Sequence, residues 1–316
     1  MTQINNRQRD MEREQGADAG KGRPFGHPFL DSVPSSSFDY NGNFIYIMTQ
    51  IGKKSSPEEK TFKSFERMVS RQRFQRYRRD TANKQEAVAL YLWNVALCEA
   101  LYPAFQFFEI ALRNATSQAI ALHHGNNPRW FMDQTILTEQ EHRNQVKGAI
   151  TKLIKKNKGR YLGNPSDAFY PREPYRVVAE LTLGFWINLY SDPYATTLMQ
   201  TVVADVFPNG PKEVKFDKRQ DIIYPRLLEI LNLRNRVFHH EPIYHWTYVS
   251  DDSSLLAHHS RLCEVVSWMC QVQPFFLDAI DRFIQVHNAG TQPYFDSASF
   301  AFLQDEDQEN RRGDAK

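Results

Sequence analysis

Several features that would assign a function at once are absent from this sequence of 316 residues. It has no glycine-rich phosphate loop, no Gly-x-Ser-x-Gly nucleophile elbow and no cysteine in the context of a catalytic thiol. The sequence has only three cysteines, Cys98, Cys263 and Cys270, and none of them forms a closely spaced pair. These absences argue against nucleotide hydrolysis and acyl transfer. The low, odd cysteine count favours reduced thiols in a cytoplasmic protein.

A strong net charge is also absent, and no clear membrane span is present. The formal net charge is +2, from 39 Lys and Arg against 37 Asp and Glu, so overall basicity does not indicate a nucleic-acid ligand. Residues 1–21 are polar and lack the apolar core of a signal peptide. Residues 87–108 are mostly apolar but include Asn94, Glu99 and Pro103, and charged groups are costly in lipid. We therefore expect a core helix and no membrane association.

Apolar residues at helical spacing dominate the rest of the sequence, without an internal repeat or a set of alternating strands. Helical patterns begin near residue 56 and continue over residues 84–124, 138–158, 173–190, 194–206, 216–241 and 253–286. Pro103 predicts a kink or break, so 84–124 is either one long helix or two joined helices. The sequence therefore predicts an all-α fold, a multi-helix bundle.

Polar residues at the predicted helix starts supply candidate caps. Thr138 and Glu141 have the spacing of a capping box, and Asp217 is a plausible N-cap. Either Ser253 or Ser254 can cap the last long helix.

The polar composition of the two ends predicts the domain organisation. We expect a mobile N-terminal arm over residues 1–55, one helical domain over 56–290 and a disordered tail over 291–316. Within the arm, the apolar run 44–48 is either a strand or an irregular docking segment.

Arg234, Asn235 and His239 form the constellation that carries chemistry. Asn235 and His239 are four residues apart and share a helix face, and the long Arg234 side chain can reach the same surface. Pro242 ends the helix near His240, so His239 lies in the last turn. Cleavage of an RNA phosphodiester without metal needs an acid or base and a cation for phosphate, which His and Arg supply. The alternative is a histidine at a helix end and an Arg-Asn pair that bridges helices.

This Arg-Asn-x-x-x-His pattern resembles the defining motif of HEPN proteins, and the continuation His-His-Glu-Pro-Ile is similar to their Abi-like (abortive infection) branch. Four more stretches resemble the same branch: SRQRFQRY (70–77), YLWN (91–94), EIALRN (109–114) and LTLGFW (181–186). The likeness covers roughly residues 60–285.

The resemblance implies a HEPN-type helical fold and a homodimer with the motif at its interface. It also implies a metal-independent endoribonuclease, used in phage defence or as the toxin of a toxin–antitoxin pair. Arg234, Asn235 and His239 are then the catalytic residues, RNA and an antitoxin are partners, and no cofactor is needed. Some HEPN proteins are inactive, so a non-catalytic module that binds RNA or a protein remains the alternative.

Glu109, Arg113 and His240 are candidate supporting residues. Glu109 and Arg113 have the spacing of an ion pair on one helix, which is either a structural pair or a contact that orients Arg234 or Asn235. His240 is a rival of His239 for the acid or base.

We expect no metal site, because the spacing of His239, His240, Glu241 and His245 does not match a ligand motif. Cys263 and Cys270 are two turns apart on one predicted helix, which is more typical of core packing.

Two basic clusters are candidate RNA contacts. The first consists of Arg71, Arg73, Arg76 and Arg78, with Phe74 and Tyr77 interleaved for stacking on bases. The second includes Lys155 and Lys156. The alternative for both clusters is a solvated helix face.

Overall fold

The structure of the chain, a computed structural model, describes residues 57–211, 219–270 and 273–295. These residues form 12 helices and no strand, so the all-α prediction is confirmed. In chain order the helices are α1 (Pro57–Val69), α2 (Arg71–Arg79), α3 (Lys84–His123), α4 (Gln140–Leu153), α5 (Pro174–Glu180), α6 (Leu183–Asn188), α7 (Asp192–Tyr194), α8 (Gln200–Val206), α9 (Arg219–Phe238), α10 (Leu255–Met269), α11 (Gln273–Asp278) and α12 (Phe283–Ala289). The predicted N-terminal arm, the apolar run 44–48, Asp217 and the chain beyond residue 295 lie outside the described residues.

Short helical turns connect these helices. Within the described ranges, three are 3-10 turns (Trp130–Met132, Gly159–Tyr161 and Tyr244–Tyr248), and two are π turns (Ile154–Lys158 and Ala195–Met199).

Helix α3 forms the centre of the fold. It is one continuous helix, and Pro103 lies inside it without ending it. Helices α2, α6, α8, α10, α11 and α12 all pack against it. Helix α3 is long and apolar enough to cross a membrane, and no other helix in the described part of the chain meets this criterion. Its buried residues, from Ala87 to Ile120, belong to the main hydrophobic core, which is the arrangement of a core helix.

Two predicted helices are divided in the structure. Residues 173–190 form α5 and α6, because Thr182 is extended and its Oγ1 accepts a hydrogen bond from the Phe185 N–H at 3.3 Å. Residues 253–286 form α10, α11 and α12, because Cys270 is extended and ends α10. Ser254 caps α10 by accepting from the Ala257 N–H at 3.1 Å, which settles the choice between Ser253 and Ser254.

The predicted start of α4 was wrong, and its last turn is π-helical. The helix begins at Gln140 with Glu139 at the N-cap position, so Thr138 and Glu141 do not form a capping box. The regular α-helix ends at Leu153, and the π turn Ile154–Lys158 continues it to the predicted end at residue 158.

Candidate active site

The C-terminal end of α9 has the hydrogen bonds of a Schellman motif. The His240 N–H donates to the Val237 carbonyl at 3.1 Å, and the Glu241 N–H donates to the Arg236 carbonyl at 2.8 Å. His240 occupies the left-handed position of this motif with φ 57°, where glycine is usual. The motif ends the helix at Phe238 and leaves the side chains of His239 and His240 exposed.

We expect His240→Gly to raise the free energy of unfolding by about 0.5–1 kcal/mol, because glycine adopts a positive φ without the steric cost that a Cβ causes. Chemical denaturation measures this change. Asn126→Gly is a matched control, since Asn126 also has a positive φ, of 56°, and lies at the end of another helix. A destabilised His240→Gly variant would show that the imidazole makes a stabilising contact.

Asn94, on α3, fixes the chain that follows the motif. Its buried Oδ1 accepts hydrogen bonds from the Ile243 N–H at 2.7 Å and from the Tyr244 N–H at 3.1 Å. Tyr244 is itself fully buried, packs against Tyr77 of α2 at 5.1 Å between ring centroids, and donates its hydroxyl to Asp80. The turn after His240 is therefore held from two sides, by α3 and by α2.

Arg234 is held in place from two directions. Its Nε donates to Glu109 Oε1 of α3 at 2.8 Å, and its guanidinium carbon lies 4.1 Å from the centre of the Phe238 ring. In the described part of the chain its two terminal nitrogens have no partner. The guanidinium is therefore oriented through one nitrogen, while the two nitrogens that suit a phosphate remain available.

The ion pair predicted between Glu109 and Arg113 does not form, because Glu109 pairs with Arg234 instead. Nor is Glu109 deeply buried, since 29% of its side chain is exposed. Sequence spacing pointed to the neighbour on the same helix, whereas the packing of α9 against α3 supplied a closer cation.

Arg113 lies on the wall of a cleft of about 140 Å³ beside this pair. The cleft is lined by Tyr102, Phe105, Gln106, Glu109, Ile110 and Arg113 of α3 and by Phe238 of α9.

Asn235 and His239 lie one helical turn apart, and the His239 N–H donates to the Asn235 carbonyl at 2.8 Å. The Asn235 side chain is half-buried and has no hydrogen bond to any described residue. Guanidinium and amide lie in the last two turns of α9, and the imidazole of His239 follows its last residue, Phe238, one position beyond the last turn in which it was predicted to lie. Their catalytic role stays a prediction.

The first basic cluster lies on the exposed side of α2. Arg71, Arg73, Arg76 and Arg78 are exposed, but Phe74 and Tyr77 are 0% and 1% exposed. The prediction that these two rings stack on bases is therefore wrong, because they anchor α2 in the core. Arg78 pairs with Glu66 at 3.5 Å, so its charge is partly neutralised.

Arg76 connects the α2 cluster to the end of α9. Burial lowers the pKa of His245, and the charges of Arg76 and Arg236 lower it further, so both guanidinium groups lie near this ring. Arg236 also lies 5.2 Å from the Trp246 ring centre and pairs with Glu241 at 3.1 Å. Cationic side chains from α2 and α9 thus face the segment that follows the motif.

The second basic cluster is less available for phosphates. Lys152 and Lys156 both pair with Glu180 of α5, the latter at 3.6 Å. Lys155 is exposed, and no described carboxylate pairs with it.

Sequence reasoning missed the residues that build the site from outside the motif. Asn94 was recognised only as part of the YLWN stretch and as a polar residue in an apolar run, and Phe238 was not singled out as a site residue. A signal for Asn94 was present, since a polar residue in an otherwise apolar core helix needs hydrogen-bond partners. Its partners, however, lie 149 and 150 residues away along the chain.

Comparison with known proteins places these features in one family. A family model described as Abi-like protein matches residues 60–245. No curated protein and no solved structure gives a significant match. The matched segment contains α2, α3 and α9, and hence Asp80, Asn94, Glu109 and the whole Arg234–His239 motif. Because the match covers more than half of the sequence, the chain belongs to the Abi-like protein family.

Proposed function

We propose that this Abi-like protein is a metal-independent endoribonuclease of the HEPN type, and that Arg234, Asn235 and His239 carry the reaction. The observation that supports it most is the fixed Arg234 guanidinium, held by Glu109 and Phe238 with two nitrogens available, within two turns of the exposed His239. The proposed biological role is growth arrest in the cytoplasm, in phage defence or as a toxin that an antitoxin restrains. The family assignment supports that role.

The proposed reaction breaks one P–O bond and forms another. A base removes the proton of the ribose 2′-hydroxyl, the 2′-oxygen attacks phosphorus, and the 5′-oxygen leaves with a proton from an acid. The products are a 2′,3′-cyclic phosphate and a 5′-hydroxyl. Arg234 stabilises the charge on the phosphate oxygens, His239 acts as base or acid, and Asn235 positions the ribose or the imidazole.

A second copy of the chain would complete the acid–base pair. His239 supplies one titratable group, and two copies related by a two-fold axis would supply two. Beside the motif, Tyr102, Ile110 and Phe238 are 51%, 40% and 38% exposed, which is the kind of apolar surface that a partner covers. We therefore propose a homodimer with both motifs at the interface.

The same apolar surface favours the second candidate function, a non-catalytic module. Such a module would use the cleft and the neighbouring arginines to hold RNA or a protein partner. It would bind without cutting, so the two candidates differ in a measurable product.

The test of the proposal is a digest of a mixed RNA substrate by purified protein in magnesium-free buffer with excess EDTA. We expect fragments with 2′,3′-cyclic phosphate ends. A thermal melt in the same buffer shows that the protein stays folded under these conditions. Binding of RNA without cleavage, by folded protein, would favour the non-catalytic module and contradict the proposal.

Mixing two inactive variants tests the shared site. Equal amounts of Arg234→Ala and His239→Ala chains, unfolded and refolded together, are expected to regain up to roughly a quarter of the wild-type rate. The reason is that random pairing makes about half of the dimers mixed. In each mixed dimer, one of the two sites can combine an intact Arg234 from one chain with an intact His239 from the other. Each variant refolded alone is the control. No recovery, with mixed dimers verified by differently tagged chains, would rule out a site shared in this way.

The α2 arginines are expected to contribute to RNA affinity by binding phosphates. Replacing Arg71, Arg73 or Arg76 with alanine should reduce the slope of log K against log salt by about 0.7–0.9 for each phosphate that the variant no longer neutralises. Fluorescence anisotropy with single-stranded RNA measures this slope. Lys156→Ala is the matched control, because Glu180 already pairs with that lysine. Equal slopes in all variants would place RNA elsewhere.

A further inference from the structure

Three side chains of the kinds that bind metals converge outside the segment that matches the family. His259 and Cys263 lie one turn apart on α10, and Asp281 precedes α12. His259 Nε2 lies 2.7 Å from Asp281 Oδ2 and 3.6 Å from Cys263 Sγ, and one ligand atom from each side chain lies within 4.8 Å of the other two. The cluster brings together nitrogen, sulfur and oxygen from two separate parts of the chain.

The thiol and the carboxylate approach the same ring nitrogen of His259. A nucleophilic cysteine relay would need them on opposite nitrogens, so that the imidazole takes a proton from one side while the carboxylate orients the other. Here Nε2, Sγ and Oδ2 surround one point instead. That arrangement suits a shared cation better than a proton relay.

The cluster is largely shielded from solvent, and the described residues give its carboxylate no Lys or Arg partner. Only 8% of the His259 side chain and 14% of the Asp281 side chain are exposed. No Lys or Arg in the described ranges pairs with Asp281, and the adjacent Arg282 pairs with Glu99 at 2.8 Å. Shielding a carboxylate from water is costly, and a divalent metal in this position would offset that cost.

We propose that His259, Cys263 and Asp281 bind a zinc ion. Tetrahedral zinc with bond lengths of about 2.0–2.3 Å places nitrogen and sulfur ligands roughly 3.6 Å apart and nitrogen and oxygen ligands roughly 3.3 Å apart. The nitrogen–sulfur distance in the structure already fits. The nitrogen–oxygen distance is that of a hydrogen bond, and it opens by about half an ångström when the metal replaces the proton.

Binding releases one proton. The Cys263 thiol gives up its proton to solvent and binds as thiolate, while the His259 ring stays neutral with its proton on Nδ1. Three protein ligands leave a fourth position for water. Mixed nitrogen, sulfur and oxygen ligands favour zinc over magnesium or calcium, which prefer oxygen alone.

The site would fasten the C-terminal helices to the core. Phe283, the first residue of α12, stacks on the His259 ring at 4.3 Å, and its N–H donates to Asp281 Oδ1 at 2.8 Å. Farther along α12, the Val286 carbonyl accepts from Trp93 Nε1 of α3 at 2.9 Å. A metal that joins α10 to the start of α12 would therefore stabilise the docking of α12 on α3. This role is structural and independent of RNA cleavage.

Metal content and cobalt spectroscopy of the full chain test the proposal. The chain is purified after growth with zinc, desalted and analysed by elemental mass spectrometry. We expect about one zinc per chain in the wild type and in Cys270→Ser, whose cysteine is exposed at the end of α10. We expect the zinc content to fall by at least about tenfold in Cys263→Ser. Cobalt bound to the metal-free wild type should show a thiolate-to-cobalt charge-transfer band that Cys263→Ser lacks.

Thermal melts give a second readout that needs no variant. Zinc at about 100 times its dissociation constant should raise the melting temperature of the metal-free wild type by roughly 5–10 °C. Wild-type protein that holds no zinc, gives no cobalt band and shows no rise in melting temperature would overturn the proposal. Equal zinc content and an unchanged cobalt band in Cys263→Ser would overturn it as well.

Discussion

Replacing His239 with alanine is expected to lower the rate of RNA cleavage by about 100- to 10,000-fold, because the variant loses its general acid or base. The His239 side chain is exposed and lies just beyond the last residue of α9. We therefore expect the free energy of unfolding to change by less than about 0.5 kcal/mol. Single-turnover cleavage of an RNA oligonucleotide measures the rate, and circular dichroism monitors the fold.

Two other histidines provide controls for this prediction. His124→Ala removes an exposed histidine at the end of α3 and should cleave at the wild-type rate. His240→Gly removes the rival imidazole and also relieves the positive φ, so it tests chemistry without added strain. If His240→Gly abolishes cleavage and His239→Ala does not, the acid or base is His240.

Replacing Asn94 with alanine is expected to destabilise the protein by about 2–4 kcal/mol, because two buried N–H groups lose their only acceptor in the described structure. The same change frees the turn after His240, so cleavage should fall even at temperatures where the variant is folded. Chemical denaturation and cleavage assays below the melting transition measure the two effects separately.

Asn114→Ala is the matched control for Asn94→Ala. Both residues lie on α3, but Asn114 is exposed and makes no hydrogen bond to any described residue. Its replacement should change the free energy of unfolding by less than about 0.5 kcal/mol. A similarly small change for Asn94→Ala would mean that water or backbone rearrangement satisfies the N–H groups of Ile243 and Tyr244.

Helix type and rough position could be predicted from sequence because apolar periodicity is a local property. It placed α3 and α9, and it located the end of α9 through Pro242. Helix boundaries were less accurate. Thr182 and Cys270 interrupt patterns that remain apolar on both sides, and hydrophobic spacing does not detect an extended residue within such a run.

The sequence by itself determined the helical class, the exposed arginines of α2 and the position of Arg234, Asn235 and His239 at the end of one helix, since these depend on neighbours within one or two turns. Only the tertiary structure decided the partners of these residues. It paired Glu109 with Arg234 instead of Arg113, buried Phe74 and Tyr77, and brought Asn94 to the turn after His240. It also brought Asp281 to His259. The physical reason is that burial and ion pairing depend on which helix faces pack together, and residues separated by many turns meet only in the folded chain.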